Sequence, residues 1–178
     1  MRRFIVTGAP GAGKTAIIRQ LEIDGFSVVE EAATGVIAVA QAHGTPEPWT
    51  EPSFIDAIAT LQKVRQVRAS HQPGDIQFHD RSAICTAALA IYLGFPISPF
   101  LTAELDRLKV ESIFQPRVFF IRSLGFITPT EARRITLDES LRFEQIHEST
   151  YRNFGFELFP IPPGPLTHRV TAIKQPIL

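Results

Sequence analysis

No internal disulfide can form in this chain, because Cys85 is the only cysteine among its 178 residues. That usage suits a reducing compartment. Net charge is also missing: 18 Lys and Arg balance 18 Asp and Glu, with no long run of one sign. A nucleic-acid binder or an anionic-membrane binder needs a basic footprint, so neither partner class is expected. The longest nearly apolar stretch, Ser82 to Phe95, is too short to span a bilayer and reads as a buried helix. Met1-Arg2-Arg3 leads straight into an apolar run, so no cleaved signal is expected, and the chain reads as cytosolic. No internal repeat or low-complexity segment occurs. The five histidines have no zinc-ligand spacing, and His79 reads as a strand-packing residue.

What is present suits one domain over residues 1–178, with 44% hydrophobic residues to fill its core. Its sharpest motif is Gly8-Ala9-Pro10-Gly11-Ala12-Gly13-Lys14-Thr15, which fits G-x-x-x-x-G-K-S/T. A loop that wraps a polyphosphate turns its backbone N–H groups inward, which requires glycine at several positions. In that reading Lys14 places an ammonium on the β and γ oxygens of ATP. The Thr15 hydroxyl then ligates Mg²⁺, and the helix opening at Lys14 adds the positive end of its dipole. Arg3 to Thr7 reads as a buried strand before the loop, and Ala16 to Leu21 as an amphipathic helix after it, the context this motif needs.

Further along, strands are expected at Phe26 to Val29, Asp75 to His79, Arg117 to Ile121 and Phe156 to Phe159, separated by helices. The pattern predicts an α/β fold with three layers and a five-stranded parallel sheet. Ala32 to Ala42 reads as a helix packed on the sheet, and the proline-rich stretch from Gly44 to Pro52 as a loop. Capping boxes are expected at Ser53/Asp56, Thr128/Glu131 and Thr136/Glu139, and Ser98 caps a helix to about Glu111. A helix runs from about Leu137 to Asn153. Pro160 to Pro165 reads as a rigid loop before a closing helix from Leu166 to Lys174. Trp49, the only tryptophan, has two readings: a stacking surface for an acceptor's ring, or an anchor of its loop.

Ligands of open α/β sheets gather at the C-terminal strand edge, where Glu30, Glu31 and Asp80 fall. Asp80 is a candidate for holding a metal-bound water, or a helix cap. Arg81 is assigned to the transferred group or the acceptor, against a structural ion pair. Glu31, or else Glu30, would take the acceptor hydroxyl's proton, against a merely solvated carboxylate. Arg122, Arg133 and Arg134 lie on a short arm suited to closing over the γ-phosphate.

Residues Met1 to Thr15, Gly25 to Ala33 and His79-Asp80-Arg81 together resemble the small single-domain AAA-type predicted ATPases. That group also takes in the ribosylnicotinamide kinase domain of bifunctional NAD-biosynthesis proteins. The similarity extends over nearly the whole chain and implies a kinase-like P-loop fold in strand order 2-3-1-4-5. Family members commonly carry arginine directly after the Glu-Ala-Ala that Glu31 begins, whereas Thr34 stands here. Other P-loop classes are excluded by what is missing. The only asparagine, Asn153, lies in Arg-Asn-Phe, so no guanine-reading Asn-Lys-x-Asp exists. Asp80 is followed by Arg81 where a motor-type ATPase has Glu, and no ABC-type signature occurs. Asp80-Arg81 resembles the corresponding motif of nucleoside and thymidylate kinases. The expected activity is transfer of the ATP γ-phosphoryl group, with Mg²⁺, to a nucleoside-like or other hydroxyl acceptor. The alternative is a nucleotide-dependent switch acting on a protein partner.

Overall fold

A computed structural model of the chain describes residues 1–126 and 135–177. Five strands form one parallel sheet: β1 (Arg2–Thr7), β2 (Ser27–Val29), β3 (Ile76–Asp80), β4 (Arg117–Ile121) and β5 (Glu157–Ile161). Their spatial order is 2-3-1-4-5, as the resemblance implies. The helices among the described residues are α1 (Lys14–Ile23), α2 (Ala33–Ala42), α3 (Ser53–Ala69), α4 (Ala83–Leu93), α5 (Pro99–Val110), α6 (Leu137–Asn153) and α7 (Leu166–Lys174). None is long and apolar enough to cross a membrane.

Strands buried on both faces must be apolar at successive positions, which is why β1 and β4 read as unbroken hydrophobic runs. Alternation then divides their side chains between two cores. Phe4 and Val6 join Phe78, Phe119 and Ile121 under Ile17 and Leu21 of α1 and Val170 and Ile173 of α7. Ile5 and Val118 face the opposite way, against Ile84 of α4, Leu101 and Leu105 of α5 and Tyr151 of α6. The Ser82 to Phe95 stretch is apolar because α4 is buried along most of its length.

Several local expectations are corrected. α2 does not lie on the sheet. It packs with Trp49 on Phe54 and Ile58 of α3 as an outer layer, since the three-residue β2 gives it little strand surface. The Ser53/Asp56 box does not form: α3 begins after Pro52 without a side-chain cap, and the Asp56 carboxylate accepts from Ser98 Oγ at 2.5 Å. Pro160 continues β5 opposite Phe120 instead of starting a loop, a position open to proline because β5 is an edge strand. Pro48–Thr50 closes a single 3₁₀ turn inside the proline-rich loop. The box at Thr128/Glu131 lies outside the described residues.

At α6 the expected box forms. Thr136 Oγ1 accepts from the Glu139 amide at 3.2 Å, and Glu139 Oε2 accepts from the Thr136 amide at 2.8 Å. Thr136→Ala is therefore expected to cost about 1 kcal/mol in urea unfolding with an unchanged m-value. A stability equal to that of the unmodified protein would contradict the cap.

Candidate active site

The glycine loop links β1 to α1 at the sheet's C-terminal edge. Gly8, Gly11 and Gly13 take φ of 141°, 81° and 82°. The loop's carbonyls are held from outside. Pro10 O accepts from Ser140 Oγ of α6 at 2.9 Å, and Ala12 O from Arg169 Nη1 of α7 at 2.8 Å. Gly8 O and Ala9 O both accept from Lys14 Nζ at 2.8 Å. With its carbonyls held this way, the loop presents the first-turn amides of α1, whose N-cap Gly13 supplies no side-chain acceptor.

Lys14 is buried, 8% exposed. Burial, seconded by the Arg81 charge, pulls its pKa down from 10.5 to about 7. Between those two values the unfolded chain holds a proton that the folded chain has released. Stability is therefore expected to rise with pH across this window, with the burial penalty fully present below pH 7.

β3 delivers Asp80 beside it. The carboxylate is 8% exposed, and Oδ1 has no hydrogen-bond partner. Burial raises its pKa against the opposing fields of Lys14 and Arg81. Arg81 follows with φ 73°, its amide fixed to Val6 O at 3.0 Å. Its guanidinium Nη1 donates to Cys85 Sγ at 2.9 Å and meets His147 Nε2 at 3.2 Å. Burial opposes the Arg81 charge, but Cys85, Glu31 and Asp80 outweigh it and its pKa is raised.

At the end of β2 the two carboxylates part company. Glu30 is exposed and paired with Arg19 at 2.9 Å. Glu31 caps α2, Oε1 accepting from the Ala33 amide at 2.7 Å and Oε2 from the Thr34 amide at 2.9 Å. Burial works to raise the Glu31 pKa, yet Arg81 and these amides prevail and hold it below the usual value. Arg65 of α3 braces the same turn, donating from Nη1 to Glu30 O at 3.1 Å and to Glu31 O. A cation thus stands in the wall beside Thr34 and Gly35.

These groups line one cleft of about 1090 Å³, bounded by Gly11, Gly13, Lys14, Thr15, Glu30, Glu31, Arg65, Asp80 and Arg81. Its outer walls are apolar and aromatic: Trp49 and Leu89 pack with Phe54 and Ile58, and the Tyr92 ring lies against Phe143. Trp49 is half-buried; it anchors its loop on Phe54 and also forms cleft wall. Arg122 is spent elsewhere. Its guanidinium grips Glu148 at 2.7 and 3.1 Å and Glu144 at 3.2 Å, over the Phe120 ring. Arg133 and Arg134 lie outside the described residues. His79 is buried against Gln77 and Phe114, its pKa pushed by burial down to about 3. Among the described residues no group of three or more His, Cys, Asp or Glu surrounds a metal position.

A family model described as AAA domain matches residues 3–169. Solved structures share the fold. NadR protein in complex with NAD and AMP-PNP is 18% identical with a TM-score of 0.69, over 98% of this chain and 49% of that chain. NadR in complex with NR is 20% identical, TM-score 0.67, over the same shares. Deoxyadenosine kinase from M. mycoides, with its products dCMP and a flexible dCDP bound, is 11% identical with a TM-score of 0.63 over 98% of both chains. The chain spans about half the length of the NadR chains and nearly all of the deoxyadenosine kinase. No curated protein matches the sequence.

Proposed function

The chain belongs to the AAA domain family, and we propose that it is a Mg²⁺-dependent small-molecule kinase that moves the γ-phosphoryl group of ATP to a nucleoside-like or other hydroxyl acceptor. One observation carries this reading. A buried carboxylate oxygen without a partner, on Asp80, and a guanidinium held only by a thiol and an imidazole, on Arg81, adjoin the lysine of a glycine loop in a single cleft. Buried polar groups are ordinarily satisfied, so a set left open in this way suits an incoming anion and its metal. The nucleotides and nucleoside compounds bound by the NadR and deoxyadenosine kinase structures support the same class of ligand.

The reading gives each residue a role. The backbone N–H groups between Ala9 and Thr15, Pro10 excepted, receive the phosphate tail, and Lys14 exchanges its carbonyl partners for β and γ oxygens. Asp80 and the Thr15 hydroxyl fit Mg²⁺, which asks for hard oxygen ligands and takes most of its shell from phosphate and water. When bound, that ion neutralises charge on the β and γ oxygens. Glu31 is ionised at neutral pH and has lone pairs beyond those its two amide bonds use, so it accepts the proton of the acceptor hydroxyl. Arg81 faces the transferred group. Arg133 and Arg134 are assigned to closure over it, whereas Arg122 fixes α6 through Glu144 and Glu148. The aromatic outer walls suit a flat ring on the acceptor.

Two outcomes test this assignment. Because phosphate restores the Lys14 charge, Mg-ATP binding above about pH 7 is expected to take up close to one proton, read as binding heat that changes with the buffer's ionisation enthalpy. Buffer-independent heat at pH 8 would contradict it. Glu31→Gln is expected to lower kcat by about 10²-fold or more with KM for ATP unchanged. The acceptor itself is found by screening ATP consumption over nucleosides, nicotinamide riboside and sugars. ADP formation independent of any acceptor would replace the kinase with an ATPase.

A further inference from the structure

Arg81 differs from Arg107 and Arg122, two other arginines packed around the sheet, in the chemistry of its partners. Arg107 grips Glu104 and Glu111, and Arg122 grips Glu144 and Glu148. Among the described residues no carboxylate lies within ion-pair distance of Arg81; its side-chain partners are Cys85 Sγ and His147 Nε2. Both partners are buried, Cys85 4% and His147 0% exposed.

The hydrogen bonds fix the protons in this cluster. His147 Nδ1 lies 3.0 Å from Phe143 O, and a carbonyl only accepts, so Nδ1 carries the hydrogen. Nε2 is then the bare nitrogen, free to accept from the Arg81 guanidinium at 3.2 Å, with Cys85 Sγ 2.7 Å away. Burial together with the Arg81 field holds the His147 pKa well below its ordinary value, in keeping with a neutral ring. The backbone is pinned as well: Arg81 sits in the left-handed region with its amide on Val6 O, a strained conformation that persists only where its surroundings over-determine it.

We infer that His147 and Cys85 are positioning residues that form a carboxylate-free seat for the Arg81 guanidinium, fixing it in the cleft without a close ion-pair partner. The inference rests on the proposed role of Arg81 toward the transferred phosphoryl group. A carboxylate seat would hold the side chain equally well and neutralise it, removing the attraction for the anion. The chemistry therefore selects partners that accept a hydrogen bond without forming a carboxylate ion pair. α6 supplies one, α4 the other, and Arg81 is set by the packing of two helices that do not belong to the glycine loop.

A pair of near-isosteric variants separates charge from packing. His147→Gln supplies a neutral acceptor, and kcat is expected to stay within about fivefold of the unmodified enzyme. His147→Glu supplies a charged one, and kcat is expected to fall about 10²-fold, with KM for ATP changed less than twofold in both. Equal losses in the two variants would overturn the seat. A readout on the unmodified chain needs neither variant to fold well: ¹⁵N NMR of the imidazoles is expected to show His147 as the Nδ1–H tautomer at neutral pH. An Nε2–H tautomer, which cannot accept from Arg81, would overturn the inference. Absence of turnover with every acceptor would instead remove the kinase reading, while the tautomer still decides the seat.

Discussion

Gly8→Ala is expected to come close to unfolding the protein. At φ 141° an alanine is strained, and its Cβ would stand 2.2 Å from Ile121 O and 3.1 Å from Ile121 C. Those are backbone atoms of β4, which is paired to β1 on one side and β5 on the other, so nothing flexible is available to give way. Strain of roughly 1–3 kcal/mol for the backbone and a similar amount for overpacking add to about 2–6 kcal/mol. That is a large part of the 5–15 kcal/mol typical of a whole domain. At roughly 2–4 °C per kcal/mol, the melting temperature falls by about 5–25 °C. Gly25→Ala is the control. Its φ is 91° but no atom lies within 4 Å of the added Cβ, so only the smaller backbone penalty applies. Similar melting temperatures for the two variants would contradict the close packing of the loop on β4.

The second large effect falls on activity and leaves the fold intact. Lys14→Met keeps length and apolar volume but removes a buried cation whose charged form burial disfavours. Turnover of Mg-ATP is expected to drop by about 10³-fold, the scale seen when a donor to developing charge is removed from a closed site. Thermal stability at pH 7 is expected to be unchanged or higher, because a charge held for function is costly to bury. Loss of stability together with activity would mean that the two bonds from Lys14 to Gly8 O and Ala9 O chiefly hold the loop together.

What could be read from the sequence was what short-range chemistry decides. The Thr136/Glu139 box, the Ser98 cap and the unbroken Arg117 to Ile121 run each carry their signal within a few residues, and each stands where that signal puts it. The glycine loop likewise declares itself in eight residues. The contacts that shape the site around it do not. Ser140 and Pro10 are 130 positions apart, Arg169 and Ala12 157, Arg81 and His147 66, and Arg65 and Glu31 34. In one sequence a buried arginine on a closing helix, such as Arg169, looks like any other basic residue on an amphipathic face.

Competition between partners explains the misreadings. Asp56 is correctly spaced to box with Ser53, but Ser98 arrives from α5 and takes the carboxylate. Arg122, assigned to closure over the γ-phosphate, pairs with two α6 carboxylates that its own stretch of sequence does not announce. Apolar composition placed α2 on the sheet because hydrophobicity says that a face is covered without saying by what; α3 and Trp49 cover it.

The central claim is that the amides between β1 and α1, with Lys14 and Asp80, form a receptor for a nucleoside triphosphate and its metal. Titrating Mg-ATP into the folded protein by calorimetry, with a thermal melt of the same samples, tests it most directly. One nucleotide per chain should bind with measurable heat. At a hundredfold excess over Kd it should stabilise the fold by about 2.7 kcal/mol, or roughly 5–10 °C. Neither heat nor a shift in melting temperature, in protein verified as folded, would contradict the account.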